Sequence, residues 1–219
     1  MSLQDCHNFD DFRRLAKKKL PSPIFHYIDG GSDDEITLKR NTEAFNSYDL
    51  IPSVLSDVSN VDMSTTVLGE KIDFPLFPAA TAMHRLYHHE GEKASAKAVE
   101  KVGTIFGLST MSTVSIEEIS TINKGPKLFQ LYIHKDRGLT DNLLERCKKA
   151  GFTSMCLTVD TVVAGNRERD RKTGFTTPPK LTLGSLLSFA VHPGWTINNF
   201  INEKFKLANI IHMTQKGTS

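Results

Sequence analysis

Between residues 72 and 160, short apolar runs alternate with helical patterns, and this alternation limits the chain to a small set of folds. The first run, Phe74 to Ala80, ends in Thr81-Ala82-Met83, and a helix is expected over about Glu90 to Val102, closed by Gly103. The second run, Thr104 to Leu108, ends in Ser109-Thr110, and Ser115-Ile116-Glu117-Glu118 reads as a capping box that opens the next helix. The third, Leu128 to Tyr132, contains Gln130. The helix after it, about Thr140 to Ala150, carries Leu143, Leu144 and Cys147 on one side and ends at Gly151. The fourth, Ser154 to Val159, ends in Asp160. The run ends fall near residues 80, 109, 132 and 160. One strand, a loop and a helix of three to four turns fill that spacing. Alternating strand and helix implies parallel strands joined by right-handed crossovers. Each run turns polar at its C-terminal end, the end that faces the active site in parallel α/β folds.

The flanks read differently. Asn8 can cap a helix that places Phe9, Phe12, Leu15, Ala16 and Leu20 at helical spacing and stops at Pro21. A second short helix carries Ile24, Phe25, Tyr27 and Ile28 and ends at Gly30-Gly31, where a positive φ is cheap. Ser32-Asp33-Asp34-Glu35 reads as a capping box for a helix to about Phe45. After Asp160 the rhythm stops. There follow alternating charges at Arg167-Glu168-Arg169-Asp170-Arg171-Lys172, a Pro178-Pro179 break, and weak helices near 183–190 and 196–206. The expected organisation is a helical segment over 1–71, a strand–helix segment over 72–160 and a long irregular loop region over 161–219.

Composition removes several classes of function. Among 219 residues, 27 Lys plus Arg against 25 Asp plus Glu leave a net charge of +2, which gives no support to nucleic-acid binding. With 39% hydrophobic and 24% charged residues the chain reads as soluble and globular. No apolar run reaches the roughly 18 residues of a membrane span, and the first residues lack the basic start and apolar core of a secretory signal. Cys6, Cys147 and Cys156 are odd in number and show no zinc spacing, so reduced thiols and no metal are expected. GxGxxG and GxxxxGK[ST] are both missing, which argues against a Rossmann dinucleotide site or a P-loop.

The polar residues at the run ends are Thr81, Ser109, Gln130, Tyr132, Thr158 and Asp160. A Thr or Ser after a strand is commonly a turn or cap residue. Gln130 and Tyr132, however, lie two apart and so share a side of one strand, and Thr158 and Asp160 repeat that on the next. Polar pairs aimed one way need partners, and a bound polar ligand would supply them. Neutral Thr, Ser and Gln suit the polar edge of a heterocycle such as a flavin.

Several segments occur together and in order: Phe25-His26-Tyr27-Ile28-Asp29-Gly30-Gly31, Ala80-Thr81-Ala82-Met83, Leu108-Ser109-Thr110, Phe129-Gln130-Leu131-Tyr132, Lys135-Asp136-Arg137, Leu157-Thr158-Val159-Asp160 and Gly165-Asn166-Arg167. In this the chain resembles the FMN-dependent L-2-hydroxy-acid dehydrogenases and oxidases, from about residue 5 onward. The resemblance implies an α/β fold, a partial (β/α)8 TIM barrel of about the first four βα units behind an N-terminal helical segment, with 72–160 as the first half of the barrel. It implies FMN as cofactor, with Thr81 and Ala82 along the flavin ring and Ser109, Gln130 and Thr158 bonded to its polar edge. Tyr27 and Tyr132 would contact the substrate, and Arg167 would bind its carboxylate through two parallel bonds. Asp160 would orient the catalytic histidine. Each of these has a plainer reading: Tyr27 as a packed helix residue, Arg167 in a solvated loop, Asp160 as a cap. Departures are Met111, where some members carry Trp, Ala80 for a common Pro, and Asn166, where glycolate oxidases carry a second Arg. The 27–31 segment and His192-Pro193-Gly194-Trp195 look closer to the bacterial lactate dehydrogenase branch, so L-lactate is the expected substrate.

In the family the base is the histidine of a His-Gly-Gly-Arg-Gln motif on a later strand. None of the eight histidines here is followed by Gly-Gly. The chain therefore reads as the N-terminal half of the enzyme, a fragment inactive alone. The full-length form is expected to be a homo-oligomer that takes a small 2-hydroxy acid and passes electrons to a quinone, a cytochrome or oxygen. Its expected place is cytoplasmic, with peripheral attachment to the inner face of the cell membrane left open. Two alternatives stand beside this: a non-catalytic half-barrel assembly module, and another FMN- or phosphate-binding barrel enzyme.

Overall fold

A computed structural model describes residues 2–160, 163–176, 180–202 and 205–210. The expected Pro178-Pro179 break and the tail 213–219 lie outside the described residues, as do residues 203 and 204 of the expected 196–206 helix. Along the chain, α1 (Phe9–Lys19), α2 (Ser22–Asp29) and α3 (Ile36–Glu43) precede a hairpin of β1 (Thr65–Val67) and β2 (Glu70–Ile72). Then come α4 (Glu92–Val102), β3 (Phe106–Ser109), α5 (Ile116–Ile122), β4 (Lys127–Leu131), α6 (Arg137–Lys149) and β5 (Ser154–Leu157). After them lie α7 (Glu168–Thr173), α8 (Leu183–Ala190) and α9 (Pro193–Ile201). The chain divides into two units, residues 1–56 with 163–203 and residues 57–162 with 204–219.

The second unit holds a parallel sheet in the order β3-β4-β5, with right-handed βα crossovers expected for this pattern. Burial alternates along β4: Lys127, Phe129 and Leu131 are buried, whereas Leu128 and Gln130 are half-buried. Phe129 and Leu131 face a core built with Phe106, Leu108, Ile116, Ile119, Leu143 and Cys147. Gln130 therefore stands on the opposite face, because side chains alternate along a strand. Local signals set the helices. Ser115 and Glu118 form the expected capping box, and Asp136 caps α6 by accepting from the Leu139 N–H. Gly103 closes α4 at φ 73°, a left-handed conformation that favours glycine. Burial pushes the Cys147 thiol up to about 12, and all three cysteines are free.

The first apolar run is corrected: residues 74–80 form no strand. Pro75 and Pro78 bring no N–H to a ladder. The run is held instead at isolated points, with the Asp73 N–H donating to the Gly103 carbonyl at 2.8 Å and the Thr104 hydroxyl to the Leu76 carbonyl at 2.9 Å. It still passes beside β3, where a Cβ on Gly107 would lie 3.2 Å from the Ala80 nitrogen. The β1–β2 hairpin has no counterpart in the sequence reading. Its two-residue turn sets Leu68 and Gly69 at φ 52° and 83°, the twist that tight hairpins need.

In the first unit, α1 begins as expected: the Asn8 side chain accepts from the Asp11 N–H, and acids lead and lysines end the helix, as its dipole favours. Two expectations fail nearby. Gly30 adopts φ −89°, so a positive φ is not what glycine supplies there. Space is: a Cβ would sit 2.7 Å from the His26 carbonyl oxygen and 3.1 Å from Arg169 Cδ. The capping box at Ser32 does not form either. Glu35 turns back to accept from the Gly31 N–H at 3.0 Å and to pair with Arg169, and α3 starts after it. The charge of the guanidinium outweighs a neutral cap. The stretch after 163, expected to be irregular, contains α7; α8 matches the weak helix expected near 183–190, and α9 begins three residues before the one expected near 196–206 and ends at Ile201.

The Glu118 box carries a pH signature. Burial opposes ionisation, but the Lys93 ammonium at 3.0 Å and the Ser115 N–H and hydroxyl hold the carboxyl down to about 2. A carboxyl lowered on folding contributes stability above its ordinary value of 4.5, and that contribution disappears as pH falls toward about 2. Urea midpoints measured from pH 6 to pH 2, on the order of one pH unit apart, should fall less steeply below pH 4.5 in Glu118→Gln than in wild type. Parallel curves would contradict the assignment.

Candidate active site

Strand register builds the first part of the site. Ser109 is directly opposite Gln130 across β3 and β4, and Gln130 is opposite Cys156 on β5. Thr158 lies two residues beyond Cys156, so it projects from the same face one step further along. The side chains meet accordingly. The Ser109 hydroxyl donates to Gln130 Oε1 at 3.0 Å, and Gln130 Nε2 donates to the Thr158 hydroxyl oxygen. Ser109 also accepts from the Met111 N–H at 3.1 Å. Ser109 is buried, and Gln130 and Thr158 are half-buried. Two polar side chains from adjacent strands and a third just past the end of the next strand thus form one neutral row.

The neighbouring loops complete this wall. The exposed Thr81 donates its hydroxyl to the Ala79 carbonyl at 3.2 Å, and Ala82 next to it is half-buried. Met83, at φ 57°, donates its N–H to the Met111 carbonyl at 3.2 Å, which sets the Thr81–Met83 loop against the loop after β3. Thr110, which sequence reasoning treated only as the end of a run, ties β3 to β4. Its hydroxyl donates to the Gln130 carbonyl at 2.7 Å and accepts from the Tyr132 N–H at 3.2 Å. Tyr132 is half-buried just past the end of β4, and Asp160 is exposed past the end of β5. Among the described residues Asp160 makes no hydrogen bond or ion pair.

The first unit brings the other two predicted residues together across 140 positions of sequence. The Arg167 guanidinium lies over the Tyr27 ring at 5.1 Å and donates from Nη2 to the Tyr27 carbonyl. Its Nε donates to Asp170 Oδ2 at 2.6 Å. Phe175 packs edge-on against Tyr27, with ring centroids 5.1 Å apart. The segment is anchored by ion pairs that the sequence analysis did not assign. Arg169 pairs with Asp29 at 2.8 Å and with Glu35, and Arg13 makes two bonds to Asp29 at 2.5 and 3.0 Å. Burial raises the Asp29 carboxyl, yet the Arg13 and Arg169 guanidiniums hold it below the ordinary carboxylate value. Burial, aided by the Arg169 charge, lowers His26. Local spacing in the charged run accounts only for the short-range pairs, Arg167 with Asp170 and Glu168 with Lys172 at 3.4 Å, whereas the partners of Arg169 lie 140 and 134 residues away.

The donor set can be matched to a ligand. Gln130 retains an amide hydrogen beyond its bond to Thr158, and Thr158, which accepts that bond, retains its own O–H. The row has no charge and alternates donors with acceptors. These residues fit the carbonyl and imide edge of an isoalloxazine, and the backbone of Thr81–Ala82 offers further groups beside it.

The parallel sheet and its helices form a partial α/β barrel, and the chain belongs to the FMN-dependent dehydrogenase family, whose sequence model matches residues 16–218. FMN is the cofactor of that family. Glycolate oxidase 1 of Oryza sativa subsp. indica is 46% identical over 176 residues, covering 80% of this chain and 48% of the rice protein. Among solved structures, a monotopic membrane protein, (S)-mandelate dehydrogenase, superposes with a TM-score of 0.86 at 33% identity, covering 94% of this chain and 55% of that one. A lactate oxidase described as putative, from Pediococcus acidilactici, gives a TM-score of 0.75 at 37% identity, covering 85% of this chain and 52% of that one. The chain spans about half the length of the curated relatives it matches.

Proposed function

We propose that this chain supplies the flavin-edge wall and part of the substrate site of an enzyme that oxidises a small L-2-hydroxy acid, L-lactate, to the 2-oxo acid. The observation that carries the proposal is the Ser109–Gln130–Thr158 row. Bound FMN would accept the two electrons removed from the substrate. Ser109, Gln130 and Thr158 would bond the polar edge of the ring, with the Thr81–Ala82 backbone alongside. Tyr132 and Tyr27 would contact the substrate. Arg167 would bind its carboxylate through the guanidinium N–H groups, chiefly those of Nη1, that its bonds to Asp170 and the Tyr27 carbonyl leave over. We assign the proton acceptor to the His-Gly-Gly-Arg-Gln segment that the family carries, which none of the eight histidines here matches. Exposed Asp160 would orient that histidine and stabilise its charged form. A quinone, cytochrome or oxygen would take up the electrons, and the complete enzyme would be a homo-oligomer. The names of the relatives, oxidases and dehydrogenases of glycolate, lactate and mandelate, support the substrate class.

In a full-length enzyme containing this sequence, Arg167→Met is expected to lower kcat/KM for L-lactate about 10–100-fold, the loss of a charge-assisted bond. Gln130→Leu is expected to weaken FMN binding about tenfold. Unchanged values in both variants would overturn the assignment. A kcat/KM for glycolate more than about tenfold above that for L-lactate would replace lactate by glycolate.

We also infer peripheral attachment through α8 and α9 to the inner face of the cell membrane. From Leu181 to Asn202 there is no Asp, Glu, Lys or Arg, and Leu183, Leu187, Val191 and Ile201 are exposed by 81%, 67%, 71% and 77%. No helix among the described residues is long and apolar enough to cross a membrane. An uncharged, leucine-rich surface suits the interface plane, and the similarity to a protein described as monotopic supports it. The protein should co-sediment with anionic phospholipid vesicles, and Leu187→Glu with Ile201→Glu should release it. Equal sedimentation of both proteins would contradict the inference.

A further inference from the structure

Beside the Thr81–Met83 loop lies a carboxylate that the flavin-site assignment leaves without a role. Glu92 is the first residue of α4 and is 1% exposed. Its Oε1 accepts from the His84 N–H at 3.2 Å and from the Thr113 N–H at 2.9 Å. Its Oε2 accepts from the Thr113 hydroxyl at 2.6 Å. That hydroxyl in turn accepts from the Arg85 N–H at 3.3 Å. One side chain therefore joins two loops: the one that follows the first apolar run, and the one that follows β3.

Both loops lead directly into the proposed flavin wall. His84 is two residues from Ala82, and Thr113 is four from Ser109. The Met83 N–H to Met111 carbonyl bond closes the same seam from the other side. Burying a carboxylate is costly unless donors surround it, and packing alone would be served by an apolar residue. The donors that repay this burial come from both loops, and the N-terminus of α4 adds a favourable dipole.

We propose that Glu92 is a positioning residue: by binding both loops it fixes the separation between the Thr81–Ala82 backbone and the Ser109–Gln130 row, and so sets the width of the slot for the flavin edge. This rests on the flavin assignment above. Glu92→Leu nearly keeps the volume but removes both oxygens, so the His84 and Thr113 N–H groups lose their shared acceptor. Thr113→Val removes the hydroxyl only, and Thr113→Ser restores it.

Amide hydrogen exchange on the 219-residue chain tests the clamp, and quenching of flavin fluorescence during FMN titration tests its consequence. In Glu92→Leu the amides of residues 82–84 and 111–113 should exchange about tenfold faster, with those of β4 and α6 unchanged, and FMN affinity should fall about tenfold. Thr113→Val should show both effects in smaller measure, and Thr113→Ser neither. If Glu92→Leu unfolds throughout, Thr113→Val against Thr113→Ser decides. Wild-type exchange at both loops would overturn the clamp whatever happens to FMN. Faster exchange with FMN affinity equal to wild type would overturn the slot-setting role. A wild-type chain that does not bind FMN would sink the flavin assignment and the slot-setting role together, leaving the clamp to the exchange rates.

Discussion

The candidate site depends on the register of three parallel strands. With Ser109 paired to Gln130, and Gln130 to Cys156, the row ending in Thr158 follows from backbone geometry. A slip of one residue in β4 would turn Gln130 into the core and Phe129 into the site. The register is guarded from the other face, where Phe129 and Leu131 are buried against Leu108, Ile119 and Leu143. The same alternation thus makes a dry core on one side of the sheet and a polar, neutral wall on the other. The Thr110 hydroxyl fixes the open end, where ladder bonds stop.

The first unit solves a different problem with charge. Tyr27 and Arg167 are distant in sequence, and the Arg169, Arg13, Asp29 and Glu35 ions draw the segment around α7 onto α2. The carboxylates of Asp29 and Glu35 are the more buried partners, whereas Arg13 is largely exposed. Glycine at position 30 is part of the same device, since a Cβ would meet the Arg169 side chain. Stacking on Tyr27 then orients the Arg167 guanidinium, a planar group whose recognition of carboxylates depends on direction.

Much of this was legible in the sequence where local and global signals agree. Asn8, the Ser115–Glu118 box and Gly103 mark helix ends because they satisfy free backbone groups at the position itself. Gln130 and Thr158 were legible because period-two spacing decides which face a residue takes. The failures share a cause. Residues 74–80 look like a strand by hydropathy, but two prolines remove the donors a ladder needs. Glu35 looks like the end of a capping box, but an arginine 134 residues away captures it. Arg169 and Glu92 matter through partners far away in sequence, which periodicity does not show.

The central claim is that Gln130, held between Ser109 and Thr158, faces the flavin edge. Side-chain amide signals of Gln130, assigned by NMR in uniformly 15N-labelled protein, report on that directly. The account predicts that added FMN shifts both Gln130 Nε2 proton signals and slows their exchange with water, while the amides of Asn198 and Asn202 on α9 stay in place. Gln130 signals that do not move at FMN concentrations that saturate flavin quenching would contradict it.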